Sequence, residues 1–165
     1  LIQSMPEILK SVPDAHILMV GQGPYLSHLK KLVEELNLVD HVSFIGRIQY
    51  AQLPQYICAG DIFAMPSRSR FFGLEVEGLG IVYLEASACG LPVIAGSSGG
   101  APDAVLEGVT GIVVDGENNN EIAAAAIKLL NDLDGAKAMG LAGREWIIEN
   151  WRWQIWSERF NKLLQ

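Results

Sequence analysis

Positive charge is in short supply in this chain: 12 Lys and Arg face 19 Asp and Glu, a formal net charge of −7 over 165 residues. A nucleic-acid binder normally presents a basic face, so that class is set aside. Cysteine is scarcer still, with only Cys58 and Cys89. Each lies in an apolar helical pattern, where lone thiols read as small core residues of a reduced protein, with neither a disulfide nor a metal role. No apolar run approaches the ~20 residues of a membrane span, and no signal peptide is visible. The histidines, His16, His28 and His41, have no nucleophile or partner nearby in sequence, so none is assigned to catalysis. No His/Asp cluster calls for a metal.

What is present is a folding chain. Half the residues are hydrophobic, which argues against disorder and allows one domain with a substantial core. Apolar residues at helical spacing (Ile2, Met5, Ile8, Leu9, Val12) predict a first helix, and the run His16 to Val20 predicts a strand buried on both faces. A second helix carries the stripe Leu26, Leu29, Leu32, Val33 and Leu36. Val42 to Ile45 is the next strand, and a short helix around Leu53 to Ala59 tolerates Pro54 only in its first turn. Strands follow at Ile62 to Met65, Pro92 to Ala95 and Gly111 to Val114, with a brief helix at Ala101 to Leu106. Two or three helices finish the chain, with Gly140, Gly143 and Asn150 as breaks.

Strands alternating with helices predict parallel βαβ units in one Rossmann-like sheet with helices on both faces. Such sheets bind ligands beyond the carboxyl ends of their strands. The chain opens at Leu1 in mid-pattern, so the expectation is a fragment whose first, central strand lies before Leu1.

The densest chemistry lies in FFGLEVEGLGIVYLEASACGLPVIAGSSGG, residues 71–100. A helix is expected to begin near Gly80, where a residue without Cβ lets the chain turn and a ligand approach. The first amides of a helix lack internal partners, so Gly80, Ile81 and Val82 can present donors to a phosphate. Glu77 stands just before them and Glu85 eight positions after Glu77. A carboxylate accepts from two hydroxyls at once, which suits a sugar or ribose diol. The same residues also fit a helix whose early acidic side chains merely complement its dipole.

The string GLEVEGLGIVYLEASACGLPVIAGSSGGAPDAV resembles the family 4 retaining glycosyltransferases of the two-domain GT-B fold. It is most similar to actinobacterial GDP-mannose-dependent mannosyltransferases that build phosphatidylinositol mannosides. The resemblance runs from MPEILKSVPDAHILMVGQG to the Trp-rich tail. It implies that residues 1–165 are the donor-binding, C-terminal domain of such an enzyme. Glu77 would contact hydroxyls of the transferred hexose and is the catalytic candidate. Gly80, Ile81 and Val82 would hold the diphosphate, and Glu85 the ribose. The loop Gly21-x-Gly23 would line the nucleotide, and Arg47 and Ile48 would lie on the base-binding loop. It implies a nucleotide-sugar donor, GDP-mannose, with no further cofactor and no metal. The acceptor would be a glycolipid or glycan, and the N-terminal GT-B domain, which carries the family's catalytic histidine, the partner. The location would be cytoplasmic or peripheral at the inner membrane face, with membrane contact through the absent domain. An Arg and a Lys that neutralise the diphosphate in the family would fall before Leu1.

The residues themselves leave other readings open. Gly21 and Gly23 lack the third glycine of a dinucleotide fingerprint, and Pro24 fits a helix start. Arg47 is equally a strand-ending surface arginine. Arg68 and Arg70 can meet phosphate or acceptor, or be a solvated loop end. Ser97 to Gly100 can turn amides toward a donor or simply turn. The tail stripe Trp153, Trp156, Phe160 and Leu163 reads as core, or as a face toward the other domain. At the level of function, a nucleotide-sugar binding module without catalysis and a GT-B-like epimerase remain as alternatives.

Overall fold

The computed structural model describes residues 1–164. Its elements follow one another as helix α1 (Met5–Ser11), strand β1 (Ile17–Val20), α2 (Leu26–Glu35), β2 (Val42–Gly46), α3 (Leu53–Ile57), β3 (Phe63–Met65), α4 (Ile81–Ala88), β4 (Val93–Gly96), β5 (Gly111–Val114), α5 (Asn119–Asn131), α6 (Leu133–Asn150) and α7 (Trp153–Leu163). Short 3-10 turns occupy Ile2–Ser4 and Ala101–Ala104, so the brief helix expected at 101–106 is a single tight turn. Pro54 sits in the first turn of α3, where its missing N–H costs no internal bond.

Every ladder is parallel, as a chain of βαβ units requires. The strands form two ladders, β1–β2 and β3–β4–β5, and among the described residues no ladder joins them. β4 is buried on both faces, with Val93 and Ala95 in one core cluster and Ile94 in the other. That alternation is the two-residue period of a strand clamped between helical layers. One layer brings α1 and α5 (Met5, Ile8, Ile122, Leu129) against Ile94 and Val114, and Ile17 and Met19 of β1 pack onto the same cluster. The other brings Ile57 of α3 and Tyr83 and Ala86 of α4 against Val93 and Ala95.

β1 departs from the sequence expectation. Leu18 is 39 % exposed, because among the described residues β1 has a ladder partner on one side only. The expected breaks at Gly140 and Gly143 are also absent: α6 runs through both to Asn150, the one expected break that holds. Both glycines mark close approach. A Cβ on Gly140 would fall 2.0 Å from the Gly90 carbonyl, so α6 lies directly on the turn after α4. Cys58, read as a core residue, is exposed at the end of α3, while Cys89 is half-buried.

Because the strands share one direction, the loops after Val20, Gly46, Met65, Gly96 and Val114 all leave the sheets at their carboxyl ends. Those ends are drawn tightly together beside β3. A Cβ on Gly96 would meet the Ser67 carbonyl at 1.8 Å, and one on Gly116 would meet it at 2.3 Å.

Candidate functional site

The loop after β3 is long, and its far end is fixed by one aromatic side chain. Tyr83, completely buried one turn into α4, donates its hydroxyl to the Met65 carbonyl at 2.6 Å and shares a 3.0 Å bond with Ser67 Oγ. The start of α4 is thereby fastened to the end of β3. Burial is the main reason the Tyr83 phenol titrates above its ordinary value.

Between those anchors the main chain of Glu77 is pinned on both sides. Its amide donates to Ser98 Oγ at 3.2 Å, and its carbonyl accepts from the Gly100 amide at 3.0 Å. Ser98 is buried and also bonds Ser69 Oγ at 3.1 Å. Only glycine fits the facing loop. Gly99 has φ +54, and a Cβ there would lie 2.1 Å from the Glu77 carbonyl; one on Gly100 would lie 2.1 Å from the Gly78 carbonyl. The 97–100 loop is therefore a cradle for the backbone around Glu77. Its Gly100 amide is taken by Glu77, and its Ser97 amide by Val114 at 2.9 Å, which rules out the reading that these two amides turn toward a ligand.

Gly80 opens α4 in the left-handed region at φ 72, where a Cβ would run into the Tyr83 ring at 2.2 Å. No side chain caps the helix, so the first amides, those of Ile81 and Val82, keep their positive end. Ile81 is exposed and Val82 half-buried. The rest of α4 carries Glu85, half-buried on the helix, and its Oε1 accepts from the Tyr50 hydroxyl at 2.9 Å. That bond is the first cause of the raised Tyr50 pKa. Tyr50 thus draws the loop after β2 against α4.

An open cleft of about 670 Å³ follows along this loop, lined by Ile45, Arg47, Ile48, Gln49, Tyr50, Gln52 and Tyr56. Arg47 is exposed and Ile48 half-buried. The Gly21 amide donates to the Gly46 carbonyl at 2.8 Å, so the β1 loop abuts the residue before Arg47. Gly21 and Gly46 both have positive φ, which explains glycine there; Gly23 does not, and nothing stands within 4 Å of a Cβ built on it.

The expected residues therefore fall into two linked groups. Gly21, Arg47 and Ile48 lie together on the cleft side, and Glu77 and Gly80 to Val82 lie on the pinned loop and helix start; Tyr50 and Glu85 join the two. Gly23 makes contact only within its own turn, its carbonyl accepting from Leu26. Arg70 is paired with Glu75 at 3.5 Å, and Arg68 is exposed, with no hydrogen bond or ion pair among the described residues. Sequence reasoning passed over Tyr50, Ser98 and Tyr83. Among the described residues no His, Cys, Asp and Glu cluster could hold a metal.

A parallel α/β domain with its chemistry-bearing loops at the carboxyl ends of its strands is a nucleotide-binding architecture. The chain belongs to the glycosyl transferases group 1 family, whose pattern matches residues 1–146. It is 50% identical over 164 residues to the GDP-mannose-dependent alpha-(1-6)-phosphatidylinositol monomannoside mannosyltransferase of Mycolicibacterium smegmatis, covering 99% of this chain and 43% of that protein. It is 47% identical to the GDP-mannose-dependent monoacylated alpha-(1-6)-phosphatidylinositol monomannoside mannosyltransferase of Corynebacterium glutamicum, over 100% of this chain and 42% of that one. Among solved structures, sucrose-phosphate synthase from Thermosynechococcus elongatus superposes with TM-score 0.84 at 30% identity, covering 99% of this chain and 41% of that one. The chain thus spans less than half the length of the curated relatives it matches.

Proposed function

We propose that residues 1–165 form the donor-binding domain of a retaining, two-domain hexosyltransferase that moves mannose from GDP-mannose to a phosphatidylinositol-based glycolipid. The observation that carries this reading is the uncapped start of α4 at left-handed Gly80, with Glu77 before it and Glu85 within the same helix. In this reading the amides of Gly80, Ile81 and Val82 receive the diphosphate. Glu77 meets the hexose hydroxyls and Glu85 the ribose. The Arg47–Ile48 loop, with Gly21 beside it, takes the base in the cleft.

The chemistry follows from where charge develops. Breaking the glycosidic bond leaves a nucleoside diphosphate, and charge grows on its phosphate oxygens. Fixed amides aimed at that group stabilise the transition state more than the bound substrate. Retention fits attack from the face the leaving group vacates, with the leaving phosphate taking the acceptor's proton. The partner domain would supply the acceptor side. No helix among the described residues is long and apolar enough to cross a membrane. The soluble donor and the free thiols both suit work at the cytoplasmic face of a membrane that holds the acceptor.

The test is Glu77→Gln in the full-length protein, with GDP release and mannosyl transfer both measured. Losing a contact made in the transition state costs about a hundredfold or more in transfer; a rate near that of the wild type removes Glu77 from the reaction. Turnover of GDP-mannose to an isomer without acceptor would instead identify an epimerase, and binding without turnover a non-catalytic module.

A further inference from the structure

The loop between β3 and Glu77 ends in a feature that the donor site does not use. Phe71 and Phe72 are consecutive, both with positive φ (50 and 56), a backbone region that bulky residues seldom enter. The strain hides neither ring: Phe71 is 59% exposed, Leu74 86% and Phe72 fully exposed. The tip is nonetheless built. Arg70 and Glu75 exchange backbone bonds at 2.8 and 3.2 Å, and the Gly73 and Leu74 amides bond Arg70 and Phe71 carbonyls within it. The Arg70 guanidinium lies 5.1 Å from the centre of the Phe71 ring and 3.5 Å from Glu75. Glu77 follows two residues after the tip closes.

We propose that this tip is a lipid-facing lip of the acceptor site: Phe71, Phe72 and Leu74 enter the acyl region of an anionic phospholipid surface, and Arg70 meets its phosphates. The inference rests on the functional reading above, in which the acceptor is a phosphatidylinositol glycolipid. Three observations select that occupant. An apolar tip carrying a cation stacked on an aromatic ring matches the boundary between acyl chains and phosphate headgroups. The local charge complements a phosphodiester although the domain as a whole is acidic at −7. The tip leads directly into the residue assigned to the transferred sugar, so an acceptor anchored there would present its hydroxyl nearby. Holding two rings outward against backbone preference presents them to the lipid already oriented.

The experiment uses the full-length protein and the double variant Phe71→Asn, Phe72→Asn, since Asn accepts the left-handed backbone and the positions are exposed. Sedimentation with phosphatidylcholine vesicles carrying phosphatidylinositol is compared with phosphatidylcholine alone. The variant is expected to lose roughly tenfold or more in vesicle binding, as removal of two inserted aromatic rings implies. Its KM for acylated acceptor should rise, while GDP-mannose affinity and transfer to a deacylated, water-soluble acceptor stay unchanged. Arg70→Gln should narrow the preference for the phosphatidylinositol vesicles. Unchanged vesicle binding overturns the proposal. So does an equal loss of transfer to the soluble acceptor, which would mean that the rings pack on the rest of the enzyme. A wild-type protein that transfers mannose to neither acceptor would sink the functional reading, and the vesicle comparison would still decide the lip.

Discussion

The Tyr50 hydroxyl donates to Oε1 of Glu85 at 2.9 Å, joining the loop after β2 to the middle of α4. In the absence of ligand, one oxygen of the proposed ribose-binding carboxylate is therefore already engaged. A diol that takes both oxygens has to displace the phenol. Tyr50 is well exposed, so the bond it gives up is a weak one in competition with water.

Tyr50→Phe should accordingly tighten GDP binding by a few-fold, because the competitor is gone while the ring still lines the cleft. Calorimetric titration of the full-length protein with GDP decides it. Weaker binding in the variant would mean that Tyr50 orients Glu85 for the ribose and does not compete for it.

Tyr83 offers a test of the scaffold. Its hydroxyl joins α4 to the end of β3 through Met65 and Ser67, and Tyr83→Phe leaves those partners in a dry environment. A cost of about 1–3 kcal/mol is expected in denaturant titration. The pH dependence carries a sign that can be checked. Burial raises the phenol's pKa in the folded state, so the fold favours the neutral form. That contribution is fully present below the unfolded value near 10 and is lost as pH rises through the higher folded value. Wild-type stability should fall faster than that of Tyr83→Phe above about pH 10; parallel alkaline limbs would contradict the assignment.

The two thiols should differ in reactivity. Burial, then a hydrogen bond and the charge of neighbouring Cys58, push the Cys89 thiol up to about 11. At about pH 8 only on the order of one Cys89 in a thousand is thiolate. Cys58 is exposed, so iodoacetamide at that pH should label it first, with peptide mass mapping as the readout. Preferential labelling of Cys89 would show that α3 and α4 do not pack as described.

How much of this was legible in the sequence follows from the range of the interactions. The strands were, because Met65 is followed by Pro66 and Ala95 by glycine, so short apolar runs have local stops. The start of α4 was, since Gly80 marks a left-handed entry before an apolar helix. Two ladders in place of one sheet were not, because which edges pair is decided by partners far apart in the chain. The Tyr50–Glu85 bond spans 35 positions and leaves no spacing to read. Ser98 looked like ordinary turn chemistry because its partner, the Glu77 amide, belongs to another loop. Cys58 followed an apolar pattern whose neighbours do not cover it.

The glycines of α6 were misread for the same reason, and they separate cleanly by experiment. Glycine inside a helix costs roughly 0.5–1 kcal/mol relative to alanine, so a break is the local expectation at both sites. At Gly143 an added Cβ would stand 3.4 Å from Ser87 and 3.5 Å from Thr110, ordinary contact that also fills space beside a buried hydroxyl. Gly143→Ala should be neutral or stabilising by up to about 1 kcal/mol. At Gly140 the Cβ would sit 2.0 Å from the Gly90 carbonyl and 3.1 Å from the Leu91 backbone, atoms that cannot swing aside. Gly140→Ala should push α6 off the turn that follows α4 and cost about 1–3 kcal/mol despite its better propensity. Denaturant midpoints at unchanged slope measure both. Equal effects at the two positions would mean that α6 does not rest on Gly90 through Gly140.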